Sequence, residues 1–147
     1  MITISPFQIQ DAQQLIRWIY PELTEPQAIA LICEWNSGQY EGKYFQMFGV
    51  WMGTQLTGTV SLMETDKNTV SFGIQIHPNY RRQGVAYKAA GLAMEHARLL
   101  GYRVVISQVR QDNIASIALH KKLGFSLDRQ EINRKGNPVN WYYLKLV

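Results

Sequence analysis

The chain has 147 residues, 46% of them hydrophobic and 18% charged, with four Trp, eight Tyr and five Phe; that is enough to bury the core of one domain, 1–147, and it excludes disorder. A formal charge of +4 fits an anionic small ligand or weak nonspecific attraction to nucleic acid, and with no long basic run nucleic acid is an unlikely partner. The lone Cys33 cannot pair internally, the first residues lack a signal-peptide layout, and no apolar stretch nears the roughly 20 residues that cross a bilayer. The expectation is a cytoplasmic protein without a membrane partner.

Met1 to Ile4 reads as a short strand. Asp11 is placed to cap a helix through Ile19, ended by Pro21. Thr24 caps a second helix, with Pro26 in its first turn and Gly38 as its stop. Cys33, amid Ile29, Ile32 and Trp35, is expected in the core. Residues 44–77 predict three antiparallel strands turning at Gly53-Thr54-Gln55 and Asp66-Lys67-Asn68. In the third, Val70, Phe72, Ile74 and Ile76 share one face, and Pro78 ends it.

The longest helix is predicted from Gly84 to Leu100, with Ala86, Ala89, Ala90, Ala93, Ala97 and Leu100 on one arc. His96, inside that arc, is expected to be a hydrogen-bonded structural histidine. A β-branched strand over 102–109 follows, then a helix from Asn113 to Leu123 closed by Gly124, then strands over 125–132 and 140–146. The expected fold is a mixed α/β domain around one sheet. Trp141-Tyr142-Tyr143 could pack internally or against a second copy, so monomer and homodimer both stay open.

Chemistry concentrates at two junctions. In the first, Ile74-Gln75-Ile76-His77-Pro78-Asn79-Tyr80-Arg81-Arg82-Gln83-Gly84-Val85-Ala86, a strand stops and a helix begins with small residues behind two arginines. The unsatisfied N–H groups of a helix start, a glycine that lets a ligand approach the backbone, and added positive charge make a phosphate cradle. Neither a Walker A loop nor a dinucleotide fingerprint is present. In the second, Asn113, Ser116 and His120 form a narrow polar stripe on a largely apolar helix, which calls for polar partners such as a ligand lying along it.

With both junctions in view, the chain resembles the GNAT family of N-acetyltransferases. Arg81-Arg82-Gln83-Gly84-Val85-Ala86 matches the family's Arg/Gln-x-x-Gly-x-Gly/Ala, and Asn113 to Phe125 matches its Asn-x-x-Ser…Leu-aromatic-x-Lys-x-Gly-Phe. The resemblance implies a mostly antiparallel twisted sheet with a splayed strand pair, flanked by about four helices. It implies acetyl-CoA as cosubstrate, no metal, and a small-molecule or peptide amine as acceptor. It places the diphosphate on the N–H groups of Arg82, Gln83, Gly84, Val85 and Ala86 beside Arg81, with Lys121 or Lys122 near the phosphates. It lays the pantetheine arm along Ile74 and Ile76, touching Asn113 and Ser116, and sets the Ile74 N–H on the thioester carbonyl.

Two positions depart from the pattern. His120 stands where many members carry a tyrosine acid, and it is the expected catalytic group for the departing thiolate. Gln108 stands where some relatives place a glutamate base, so Glu64 is the substitute candidate beside a water chain. The resemblance sets Trp18, Tyr20, Glu22 and Glu25 beside the acceptor groove, where an acidic and aromatic lining suits a cationic amine; packing and helix-dipole roles stay open for them equally. A noncatalytic acyl-CoA-binding module and an RNA- or aminoacyl-tRNA-associated acetyltransferase stay open as alternatives.

Overall fold

A computed structural model describes all 147 residues. The strands are β1 (Ile2–Pro6), β2 (Gln39–Tyr40), β3 (Lys43–Met52), β4 (Gln55–Asp66), β5 (Thr69–Ile76), β6 (Val104–Arg110), β7 (Ser126–Ile132) and β8 (Pro138–Lys145). The helices are α1 (Ala12–Trp18), α2 (Glu25–Trp35), α3 (Val85–Leu99) and α4 (Ile114–Leu123). Seven strands run in the order β1-β3-β4-β5-β6-β8-β7, with β2 alongside β3. Every pairing is antiparallel except β5 with β6.

Alternation along the strands divides the core in two. Phe48, Val50, Val60, Leu62, Val70, Phe72 and Val105 face α3, whose Ala89, Ala90, Ala93 and Ala97 are fully buried. The small alanines bring that helix close to the sheet. On the opposite face, Trp51 and Leu56 meet Leu15 of α1 and Ala28, Ile32 and Trp35 of α2. These two helices pack on β3 and β4 and leave Gly73, Gln75 and Gln108 exposed.

Thr24 caps α2 as expected, its hydroxyl accepting from Gln27 N. Asp11 instead closes the turn before α1, where its carboxylate accepts from Gln8 N at 2.8 Å. Cys33 is exposed, not in the core, because Ala28, Ile32 and Trp35 define the buried stripe of α2 and Cys33 lies off it. His96 finds an aromatic partner and no hydrogen bond: its ring stands edge-on to Phe48 at 5.0 Å. Leu100 is 49% exposed.

Candidate active site: a slot between two parting strands and a bare run of amides

The β5–β6 ladder is short. Thr69, Val70 and Ser71 pair with Val104, Val105 and Ile106, and there pairing stops. Beyond it β5 stays on β4 through Gly58↔Ile76, while β6 stays on β8 through Arg110↔Val139. Each strand follows its antiparallel neighbour, so a wedge opens between them. Odd-numbered residues of β5 spend their main-chain groups on β4, as the His77 N–H to Thr57 O bond (2.8 Å) continues to do. Ile74 and Ile76 therefore turn their main-chain groups toward the wedge, where β6 does not meet them, while Phe72 still belongs to the last rung of the ladder. Such groups need a partner from solvent or ligand.

Chain geometry then builds the second half of the site. Pro78–Tyr80 forms one short 3-10 turn, and Arg81 reaches back to donate from Nε to the Ile76 carbonyl at 3.0 Å. Arg82 has φ +61°, a strained conformation for a residue with a Cβ. Gly84, at φ +76°, begins α3 with no side-chain cap, and a Cβ built there would meet nothing within 4 Å. The first helical bond runs from Lys88 N to Gly84 O. The N–H groups from Arg82 through Tyr87 consequently have no acceptor within the protein. Lys122 of α4 lies with Nζ 4.4 Å from the ring centre of Tyr87, adding a cation beside that helix start.

Those two features, an extended strand edge with free amides and an uncapped helix start a few residues later, set the context for likeness to known proteins. The family described as the acetyltransferase (GNAT) domain matches residues 2–126. The chain belongs to the GNAT acetyltransferase family. An L-methionine sulfoximine/L-methionine sulfone acetyltransferase of Salmonella typhimurium is 32% identical over 62 residues, 42% of this chain and 36% of that relative. The chain thus spans about a third of the length of the curated relatives it matches. Among solved structures, yncA of Salmonella typhimurium, with its cofactor acetyl-CoA, superposes with a TM-score of 0.76 at 19% identity, covering 99% of this chain and 94% of that one. An acetyl transferase from the same organism that modifies the N-terminal serine of a 50S ribosomal subunit protein gives 0.82 at 16% identity, covering 99% and 95%. At such identities these two establish the GNAT fold.

The GNAT fold collects most of the residues singled out in the sequence. Ile74 and Ile76 line the wedge, and Arg81 to Ala86 make the loop and helix start. Arg81 is committed to the Ile76 carbonyl, which leaves Arg82 as the free cation of the loop and Ile76 with its N–H alone.

The polar stripe of α4 is satisfied from within. Asn113 accepts from Ser116 N at 3.1 Å as an N-cap. His120 Nδ1 donates to the Ser116 carbonyl at 2.7 Å, and Nε2 lies 2.8 Å from Ser107 Oγ. Its ring is 2% exposed, stacked on Tyr142 and edge-on to Phe125 and Phe72. Burial pushes its pKa below the ordinary imidazole value, with the Ser116 carbonyl opposing. A carbonyl is only an acceptor, so the neutral ring carries its proton on Nδ1 and presents Nε2 as an acceptor to Ser107. Both nitrogens of the buried His120 ring are thus engaged within the protein.

Glu64 lies apart from the open part of the wedge. It pairs with Val70, at the closed end of the wedge, four residues and about 13 Å along β4 from Val60, the partner of Ile74. Its carboxylate accepts from the Tyr102 hydroxyl at 2.6 Å. Gln108 points to the open face and accepts from Asn133 at 3.4 Å. Trp18 stands edge-on to His77 and near Tyr80, beside the mouth of the loop, whereas Tyr20 packs on Trp35. Glu25 accepts from Gln13 and belongs to the α1–α2 contact. No three His, Cys, Asp or Glu side chains gather as a metal site.

Sequence reasoning missed Ser107. It sits between Val105 and Val109 on the inward face of a β-branched strand. A hydroxyl on a face expected to be buried has to find a partner, and that was its signal.

Proposed function

We propose that the chain is an acetyl-CoA-dependent N-acetyltransferase that moves an acetyl group onto a primary amine by direct attack, with both substrates held side by side. The observation that carries this reading is the succession of two sets of unpartnered main-chain groups, those of Ile74 with the Ile76 N–H on the β5 edge, and the N–H groups from Arg82 to Tyr87. An extended arm bearing amides and ending in a diphosphate matches that order.

Acetyl-CoA supplies an activated thioester, and the chain supplies position and charge. The Ile74 N–H donates to the thioester oxygen, where negative charge grows during attack, and a preorganised donor in a narrow slot is worth more than one in water. Arg82, Lys122 and the amides from Arg82 to Tyr87 hold the phosphates. The amine arrives over the uncovered sheet face bounded by Gly73, Gln75 and Gln108. Gln108 cannot take a proton, so water on this open face removes it from the ammonium. No acyl-enzyme is involved: Cys33, on α2, lies away from the wedge.

The amino-acid substrates named for the curated relative put free amino acids first among acceptors to try. The test is release of free thiol from acetyl-CoA with a panel of L-amino acids, polyamines and peptide N-termini. Acceptor-dependent thiol release is expected. Tight acetyl-CoA binding with no acceptor effect would instead identify a noncatalytic binder, and strong salt-dependent RNA binding that survives loss of the Gly84 cradle would favour the nucleic-acid reading.

A further inference from the structure

The floor of the wedge is closed in an unusual way. Regular pairing would continue from Ser71↔Ile106 to Phe72 and Ser107, but the strands have begun to part. Ser107 bridges the gap with its side chain, Oγ standing 3.3 Å from the Phe72 carbonyl that the ladder has released. Ser107 is 3% exposed. Its hydroxyl has one proton and two acceptors in reach, and the shorter contact, to His120 Nε2, takes it while the imidazole is neutral.

Behind the hydroxyl the wall is rigid. The His120 ring is fixed at both nitrogens and enclosed by Phe72, Phe125 and Tyr142 at centre distances of 6.0, 4.9 and 5.4 Å. Close-packed aromatic surroundings do not yield to an added methylene without cost.

We propose that Ser107, positioned by His120, sets the acyl length this site accepts, admitting acetyl and rejecting longer chains. This rests on reading the wedge as the acyl-CoA site. The Ile74 N–H lies two residues, about 7 Å, above Phe72 along β5. A carbonyl held on that N–H with one methyl beyond it fits in the interval, and each further methylene must displace Ser107. The alternative direction for a longer chain is the open sheet face, where it competes with the incoming amine. Ser107 is thus a specificity-determining residue, and His120 a positioning residue that keeps its hydroxyl across the gap.

The test measures binding of CoA, acetyl-CoA, propionyl-CoA and butyryl-CoA to the full chain by calorimetry, which needs no known acceptor. Wild type should bind acetyl-CoA at least about tenfold more tightly than butyryl-CoA, the scale of discrimination a methylene commands in a closed pocket. Ser107→Ala empties the floor by one oxygen and should raise propionyl-CoA affinity relative to acetyl-CoA by about tenfold, with CoA itself unchanged. Ser107→Thr keeps the hydroxyl, fills the floor by one methyl, and should weaken acetyl-CoA relative to CoA. It decides the matter on its own if the alanine variant does not fold.

Opposite shifts from opposite volume changes are not expected of a merely structural serine. Equal affinity of wild type for acetyl-CoA and butyryl-CoA, or parallel changes in all thioesters in both variants, would overturn the gauge while leaving the acyl-CoA reading intact. Failure of wild type to bind any CoA species would overturn the reading beneath it.

Discussion

The Tyr102 hydroxyl donates to the Glu64 carboxylate at 2.6 Å, joining the loop after α3 to the end of β4 at the closed side of the wedge. Burial, then this bond and the charge of Glu64, push the Tyr102 phenol well above its ordinary pKa. The contact fastens the loop after α3 to β4. Glu64→Gln should lower stability by about 1 kcal/mol, since a charged hydrogen bond at a half-exposed site is discounted by solvent. Acetyl transfer should keep its rate. Chemical denaturation and an acetyl-CoA assay on the same variant check both, and a hundredfold loss of turnover would return Glu64 to the mechanism.

Backbone strain marks the cradle. Arg82, at φ +61°, has a conformation that costs roughly 1–2 kcal/mol for a residue with a Cβ. Arg82→Gly relieves that strain, offset by about 0.5–1 kcal/mol for the freer unfolded chain. The variant should be no less stable than wild type in thermal melts, yet bind CoA more weakly. Undiminished CoA affinity would separate the strain from the ligand.

Gly84→Asp tests the helix start directly. Its Cβ meets no protein atom, but φ +76° adds backbone strain of about 1–2 kcal/mol, so Gly84→Ala, which carries the same strain without the charge, is the reference for the loss on the ligand. Calorimetry should show CoA affinity reduced by about a hundredfold, roughly 2.7 kcal/mol, as a carboxylate enters the place of a diphosphate. Retained affinity would contradict the cradle.

His120 gives a pH signature. The unfolded imidazole titrates near its ordinary value of 6.5, and burial depresses the folded one. Below pH 6.5 the unfolded chain therefore binds more protons than the folded chain, and stability falls with pH until the folded pKa is passed. That contribution is complete above the unfolded pKa. Urea midpoints at pH 7.5 and 5.5 should differ less in His120→Phe than in wild type. An identical acid-side slope would show that His120 is not buried neutral.

The elements were legible because local rules agree with tertiary demand. The alanine arc of α3 matched the sheet it covers, and Thr24 capped the helix it heads. The uncapped start of α3 was legible for the same reason, being a matter of sequence-local backbone. What depended on neighbours was not. The stripe Asn113–Ser116–His120 looked short of partners because Ser107, on another strand, supplies one of them. Glu64 looked available because Tyr102, 38 residues later, holds it. Strand alternation places a side chain on a face, but not at the open or closed end of a wedge created by a neighbouring strand's departure.

The most direct test follows the backbone amides of the full chain by nuclear magnetic resonance during addition of CoA and acetyl-CoA. The account predicts that the N–H signals of Arg82 through Tyr87 move with both ligands and that the Ile74 N–H moves further with the thioester. Binding that leaves all of these signals in place while shifting others would contradict it.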